Sequence, residues 1–181
     1  MLFRSATALR AFALVRRHLP HARLTVAGSG PEAQALRDLA TSLGIADAVN
    51  FPGALERDAM ARMYQTADLS LNPSLADNMP NSVLEAMASG VPVVSTRVGG
   101  VPYMVRDGET GLLVASGDAA AMAAAALRAL SEPLLWQRLA DAGHAAVQGY
   151  AWPQVSERLL SVYQAAIGQG HCTPRAGIDS V

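Results

Sequence analysis

The chain has 181 residues, 51% of them hydrophobic and 16% charged, a balance that suits one well-buried domain and excludes a disordered chain. A net charge of −1 supplies no basic surface for a phosphate backbone, so no nucleic-acid partner is expected. All fourteen basic residues are arginine, and a lone cysteine, Cys172, excludes an internal disulfide.

In chain order, Ala6 to His18 reads as an amphipathic helix, with Leu9, Ala13 and Arg17 on one face, Phe12 and Val15 on another, and Pro20 as its stop. A short apolar strand, Leu24 to Gly28, leads into a helix from Glu32 to Leu43 that Gly44 ends. Next come a strand at Val49–Phe51, a helix at Asp58–Thr66, a strand at Leu69–Asn72 and a helix carrying Glu85. Strands at Pro92–Ser95 and Gly111–Val114 follow, then helices at Ala119–Leu130, Leu134–Val147 and Pro153–Ala166. Residues 169–181 lack periodicity and read as a disordered tail.

Strands alternating with helices of about ten residues predict parallel βαβ units covered on both faces. The fold class is therefore α/β: a doubly wound, Rossmann-like parallel sheet over residues 1–168, with C-terminal helices. No apolar run approaches the roughly twenty residues that span a bilayer, and Met1 to Leu14 lacks a signal-type core. A cytoplasmic location fits, with attachment to the inner membrane face left to an acceptor or to a further domain.

Ligands of such sheets lie beyond the carboxyl ends of the strands. That directs attention to the loops Gly28–Pro31, Pro52–Leu55, Pro73–Asn81 and Thr96–Val101. Gly28-Ser29-Gly30-Pro31-Glu32-Ala33 has the outline of a dinucleotide turn, but that fingerprint needs an acid at the end of the next strand. Here that strand ends Phe51-Pro52-Gly53, so a nicotinamide or flavin site is rejected in favour of a tight turn beside another nucleotide.

The most informative run is Asp77-Asn78-Met79-Pro80-Asn81-Ser82-Val83-Leu84-Glu85, continuing to Gly90 and Val94. It places carboxylates around a helix mouth, where unpaired N–H groups and partial positive charge attract phosphate. A carboxylate there is suited to accept hydrogen bonds from sugar hydroxyls instead. The bland reading of Glu85 is a capping box with Ser82; it leaves Asp77, Asn78 and Asn81 unexplained. Gly99-Gly100 fits either an ordinary turn or a close backbone approach to a ligand. Trp136 and Trp152 read as core. His18, His21, His144 and His171 are scattered without carboxylate or cysteine at ligand spacing, so no metal site is expected.

These motifs, in this order from about Ala8 to Tyr163, resemble the second of the two Rossmann-like domains of retaining family 4 (group 1) glycosyltransferases, which have the GT-B fold. The family hallmark, two acids separated by seven residues, corresponds to Asp77 and Glu85. Further correspondences are Leu24–Pro31 with Gly28 and Gly30, Phe51-Pro52-Gly53, Ala67–Ser74, Val91–Val101, Asp107–Val114 and Tyr150-Ala151-Trp152. The resemblance implies a hexosyltransferase of polysaccharide or glycolipid synthesis, with a nucleotide-diphosphate sugar as donor and a sugar or lipid-linked acceptor. It implies that Glu85 binds the ribose hydroxyls and that Asp77, in place of the usual glutamate, lies near the transferred sugar. Asn78 and Met79 would meet that sugar through backbone groups, Asn81 and Ser82 the diphosphate, and Phe51, Pro52 and Gly53 the base. Thr96 to Gly100 would border the far side of the pocket, and the reaction would need no metal or other cofactor.

Family members open this domain with a strand and a loop whose arginine and lysine grip the diphosphate. Here Arg4 is the stand-in for the first, and no lysine exists for the second. The expectation is a domain lacking its first strand that binds donor weakly and transfers nothing without a separate N-terminal, acceptor-binding domain. The competing expectations are a non-catalytic nucleotide-sugar-binding module and a truncated product.

Overall fold

A computed structural model describes residues 4–168. The expected tail, with His171 and Cys172, lies outside the described residues. The elements are α1 (Arg4–His18), β1 (Leu24–Ala27), α2 (Ala33–Ser42), β2 (Val49–Gly53), α3 (Arg57–Gln65), β3 (Ser70–Asn72) and α4 (Asn81–Ala88). There follow β4 (Val93–Thr96), α5 (Val101–Met104), β5 (Leu112–Val114), α6 (Ala119–Ser131), α7 (Pro133–Val147) and α8 (Trp152–Gly168). Strands and helices alternate as the periodicity predicts; the single-turn α5 and a 3-10 turn at Ala46–Ala48 were not expected.

All strand pairing is parallel, as expected. β1 pairs with β2, matching Leu24 to Val49, and β3, β4 and β5 form a second ladder with β4 central. β4 is buried along its whole length because both faces are covered, so its sequence Val93-Val94-Ser95-Thr96 does not alternate. The fold is α/β and Rossmann-like.

The amphipathic reading of α1 needs correction. Ala6, Thr7, Ala8, Leu9, Ala11, Phe12 and Val15 are all buried, on more than one face. Leu9 and Phe12 pack with Leu36, Ala40 and Ile45, whereas Ala11 and Val15 join Val94, Leu112, Met122 and Ala126. The helix lies between two hydrophobic clusters, and its alanines let the alanine-rich α6 approach closely. At its end, Arg16 grips Asp47 with two hydrogen bonds of 2.7 and 2.9 Å.

The described residues divide into two compact units, one ending at Val147 and the other beginning at Gln148. The first contains every strand described. The second contains the turn Gln148–Tyr150 and α8. Trp152, expected in the core, is 69% exposed at the start of α8. Trp136 is half-buried, and its indole N–H donates to the Asp68 carbonyl at 2.6 Å. Among the described residues no helix is long and apolar enough to cross a membrane.

Candidate functional site

The carboxyl ends of β3 and β4 are joined by buried polar side chains. Asn72 donates its amide to the Ser95 hydroxyl at 2.9 Å and accepts from the Ser74 hydroxyl at 2.9 Å. Thr96 donates to the Ser74 carbonyl at 2.5 Å. All four residues are buried, so each bond forms in surroundings where an unmet polar group would be costly. The result is a fixed start for the loop that begins at Pro73. Thr96, expected to border the pocket, instead faces inward and holds this loop from below.

That loop carries Asp77 and Asn78. The Asp77 side chain is half-buried, and one of its oxygens lies 3.3 Å from the Ser74 hydroxyl. The Asp77 carbonyl accepts from the Gly100 amide at 3.0 Å. A Cβ on Gly99 would stand 2.1 Å from the Asp77 carbonyl oxygen, and one on Gly100 would stand 1.8 Å from that of Asn78. Twin glycines here do permit a close backbone approach, but the approaching backbone is the chain's own.

α4 begins at Asn81 with Pro80 as its N-cap and no side-chain cap. Ser82 is the second residue of the helix, not its cap, so the capping box that explains Glu85 without a ligand is not formed. Proline at the cap moves the start two residues ahead of where the serine pattern puts it. Instead the Tyr64 hydroxyl, from the last turn of α3, lies 3.2 Å from the Ser82 carbonyl and 3.4 Å from a Glu85 carboxylate oxygen. Burial, with the Glu85 charge beside it, pushes the Tyr64 hydroxyl pKa up to about 12, so at neutral pH it is a proton donor. Glu85, Asn78, Met79, Asn81 and Ser82 are all exposed, and the helix mouth is open to solvent. Tyr64 was missed in the sequence because a tyrosine among apolar helix residues carries no local mark of its bond to a residue twenty-one positions on.

The other candidates stand on the first ladder. The Gly28 amide donates to the Gly53 carbonyl at 2.7 Å, so the turns after β1 and β2 are tied together. Gly28 and Gly53 have φ of 129° and 80°, the region that favours glycine, and at these two and at Gly30 the space a Cβ would fill is open. Phe51 is half-buried with the Arg37 guanidinium 5.0 Å from its ring centre, and Pro52 is exposed.

The run Asp107 to Val114 is architectural. Asp107 accepts from the Leu113 amide at 2.9 Å and pairs with Arg97, while the Thr110 hydroxyl accepts from the Arg106 amide at 2.9 Å. His144 donates to the Ala88 carbonyl at 3.1 Å, covering the C-terminal end of α4. Among the described residues no group of three or more His, Cys, Asp or Glu is placed to hold a metal.

Rossmann-like parallel ladders with an acidic loop and helix mouth beyond the carboxyl ends of β3 and β4 define one half of a GT-B architecture. Residues 5–132, more than half of the chain, match the family described as glycosyl transferases group 1, and the chain belongs to that family. It is 38% identical over 153 residues to the D-inositol 3-phosphate glycosyltransferase of Acidothermus cellulolyticus, an overlap of 81% of this chain and 34% of that protein. The fold superposes on the C-terminal domain of a glycosyl transferase group 1 family protein (LpcC) from Francisella tularensis with a TM-score of 0.73. Identity there is 20%, over 81% of this chain and 78% of the other. It also superposes on Anabaena HepE, solved with UDP-glucose, with a TM-score of 0.77 and 21% identity over 87% of this chain and 44% of the other. The chain spans about a third of the length of the relative, the extent of a C-terminal domain.

Proposed function

We propose that this chain is the donor-binding half of a retaining glycosyltransferase that takes a nucleotide-diphosphate sugar. The observation that carries this reading is the state of Glu85: an exposed carboxylate in α4 that caps nothing and is held by the Tyr64 hydroxyl. A carboxylate so placed accepts two hydroxyl protons, which a ribose diol supplies. The amides at the start of α4 lack acceptors within the helix and favour the diphosphate at Asn81 and Ser82. Asp77, Asn78 and Met79 present the adjoining loop to the sugar, and Gly28, Gly30 and Phe51-Pro52-Gly53 serve the base. The Anabaena neighbour solved with UDP-glucose supports a sugar nucleotide as ligand.

Charge stabilisation of the departing diphosphate is the main lever of such a reaction, and helix-mouth amides supply it without a metal. The acceptor is met on a separate N-terminal domain, so transfer is a property of the larger assembly. Calorimetric titration of the chain with UDP, GDP and ADP, and with their sugars, tests the proposal. Binding is expected for one base, with a loss of about tenfold or more in Glu85→Ala, the order of a charge-assisted hydrogen bond. Equal binding by wild type and Glu85→Ala overturns it.

A further inference from the structure

We infer that Tyr64 is a positioning residue for nucleotide recognition: its hydroxyl fixes one oxygen of the Glu85 carboxylate and leaves the other for the ribose diol. This rests on the reading of Glu85 given above and adds to it a residue from a different helix. Glu85 is exposed, and an exposed glutamate is free to turn about three side-chain bonds. Tyr64 is 7% exposed, so its ring is fixed by burial and its hydroxyl stands at a defined place beside α4. From there the one hydroxyl proton is shared between the Ser82 carbonyl at 3.2 Å and the Glu85 carboxylate at 3.4 Å. The bond to Ser82 sets the position of the first turn of α4 against α3. The bond to Glu85 sets the carboxylate against that turn. One hydroxyl thus aligns the group for ribose with the amides for diphosphate, and less ordering is left to be done on binding.

The test uses Tyr64→Phe, which keeps the ring and removes only the hydroxyl. Wild type, Tyr64→Phe and Glu85→Ala are titrated with the best-binding of UDP, GDP and ADP, and with its 2′,3′-dideoxy analogue. The expected result is an affinity about fivefold lower for Tyr64→Phe with the ribonucleotide, the size of one hydrogen bond, and little change with the dideoxy analogue. An equal loss with both ligands assigns Tyr64 a purely structural role and overturns the inference, as does no loss with either. If Glu85→Ala weakens binding and Tyr64→Phe does not, this inference fails while the proposed function stands. If wild type binds none of the nucleotides, both fall.

Discussion

The amide of Gly100 donates to the carbonyl of Asp77 across 3.0 Å, which fastens the turn after β4 to the loop that carries the first acid of the pair. Gly100 has φ of −85°, which any residue adopts, so glycine is required there by space alone. A methyl group at this position would sit 1.8 Å from the Asn78 carbonyl oxygen, and one or the other backbone must move.

Gly100→Ala is therefore expected to lower stability by about 1–3 kcal/mol, the usual cost of forcing atoms into a packed site. The displaced loop also carries Asp77 and Asn78, so affinity for a nucleotide sugar falls with it. Urea denaturation and the titration described above measure the two effects. Wild-type stability in Gly100→Ala would mean that the contact is slack.

Thr96→Val examines the same loop from beneath. Valine keeps the shape of threonine but cannot donate to the Ser74 carbonyl, which keeps only the longer 3.5 Å bond from the Ser116 hydroxyl. A loss of about 1–3 kcal/mol is expected from denaturation midpoints. Nucleotide affinity should fall less than in Gly100→Ala, because Asn72 still anchors Ser74 through its hydroxyl.

The alternation of strands and helices was legible because the strands end in turns that carry Gly, Pro, Asn or Ser, and the helices longer than one turn have their own apolar spacing. The face-by-face environment of α1 was not. Its sequence shows alanines at nearly every turn, and alanine is compatible with both exposure and close packing, so only the position of α6 decides. The candidate loop is marked by the spacing of Asp77 and Glu85, and the structure adds that the turn with Gly99 and Gly100 packs directly against it. Ser82-Val83-Leu84-Glu85 offered a bland alternative that the structure removes: the four residues satisfy the capping pattern, yet Pro80 takes the cap. The polar links among Asn72, Ser74, Ser95 and Thr96 were hidden because side chains far apart in sequence meet only when β3 and β4 pair.

Glu85→Ala separates capping from binding by its effect on stability. Removal of a cap costs about 0.5–2 kcal/mol, whereas an exposed helical residue that caps nothing changes stability by no more than about 0.5 kcal/mol when replaced by alanine. The second outcome is expected, since α4 has no side-chain cap and alanine favours helix. Thermal denaturation without ligand reads this directly, and a loss beyond 1 kcal/mol would return Glu85 to a structural role.

Tyr64 also imposes a pH dependence whose sign follows from its environment. In the unfolded chain a tyrosine ionises near 10, and in the fold Tyr64 is pushed up to about 12 by burial and by the charge of Glu85. Between these values the unfolded chain has released a proton that the native chain retains, so stability falls as pH rises. Below pH 10 the contribution of this hydroxyl is fully present; by pH 12 most of it is gone, a loss of roughly 2 kcal/mol from this group. Denaturant midpoints followed from pH 9 to 12 should therefore decline more steeply for wild type than for Tyr64→Phe, which has no proton to lose. Absorbance at the tyrosinate band should agree, with Tyr64 ionising above the ordinary tyrosine value in native protein. Parallel declines in the two proteins would mean that the Tyr64 hydroxyl meets water freely, and that its contact with Glu85 does not persist in solution.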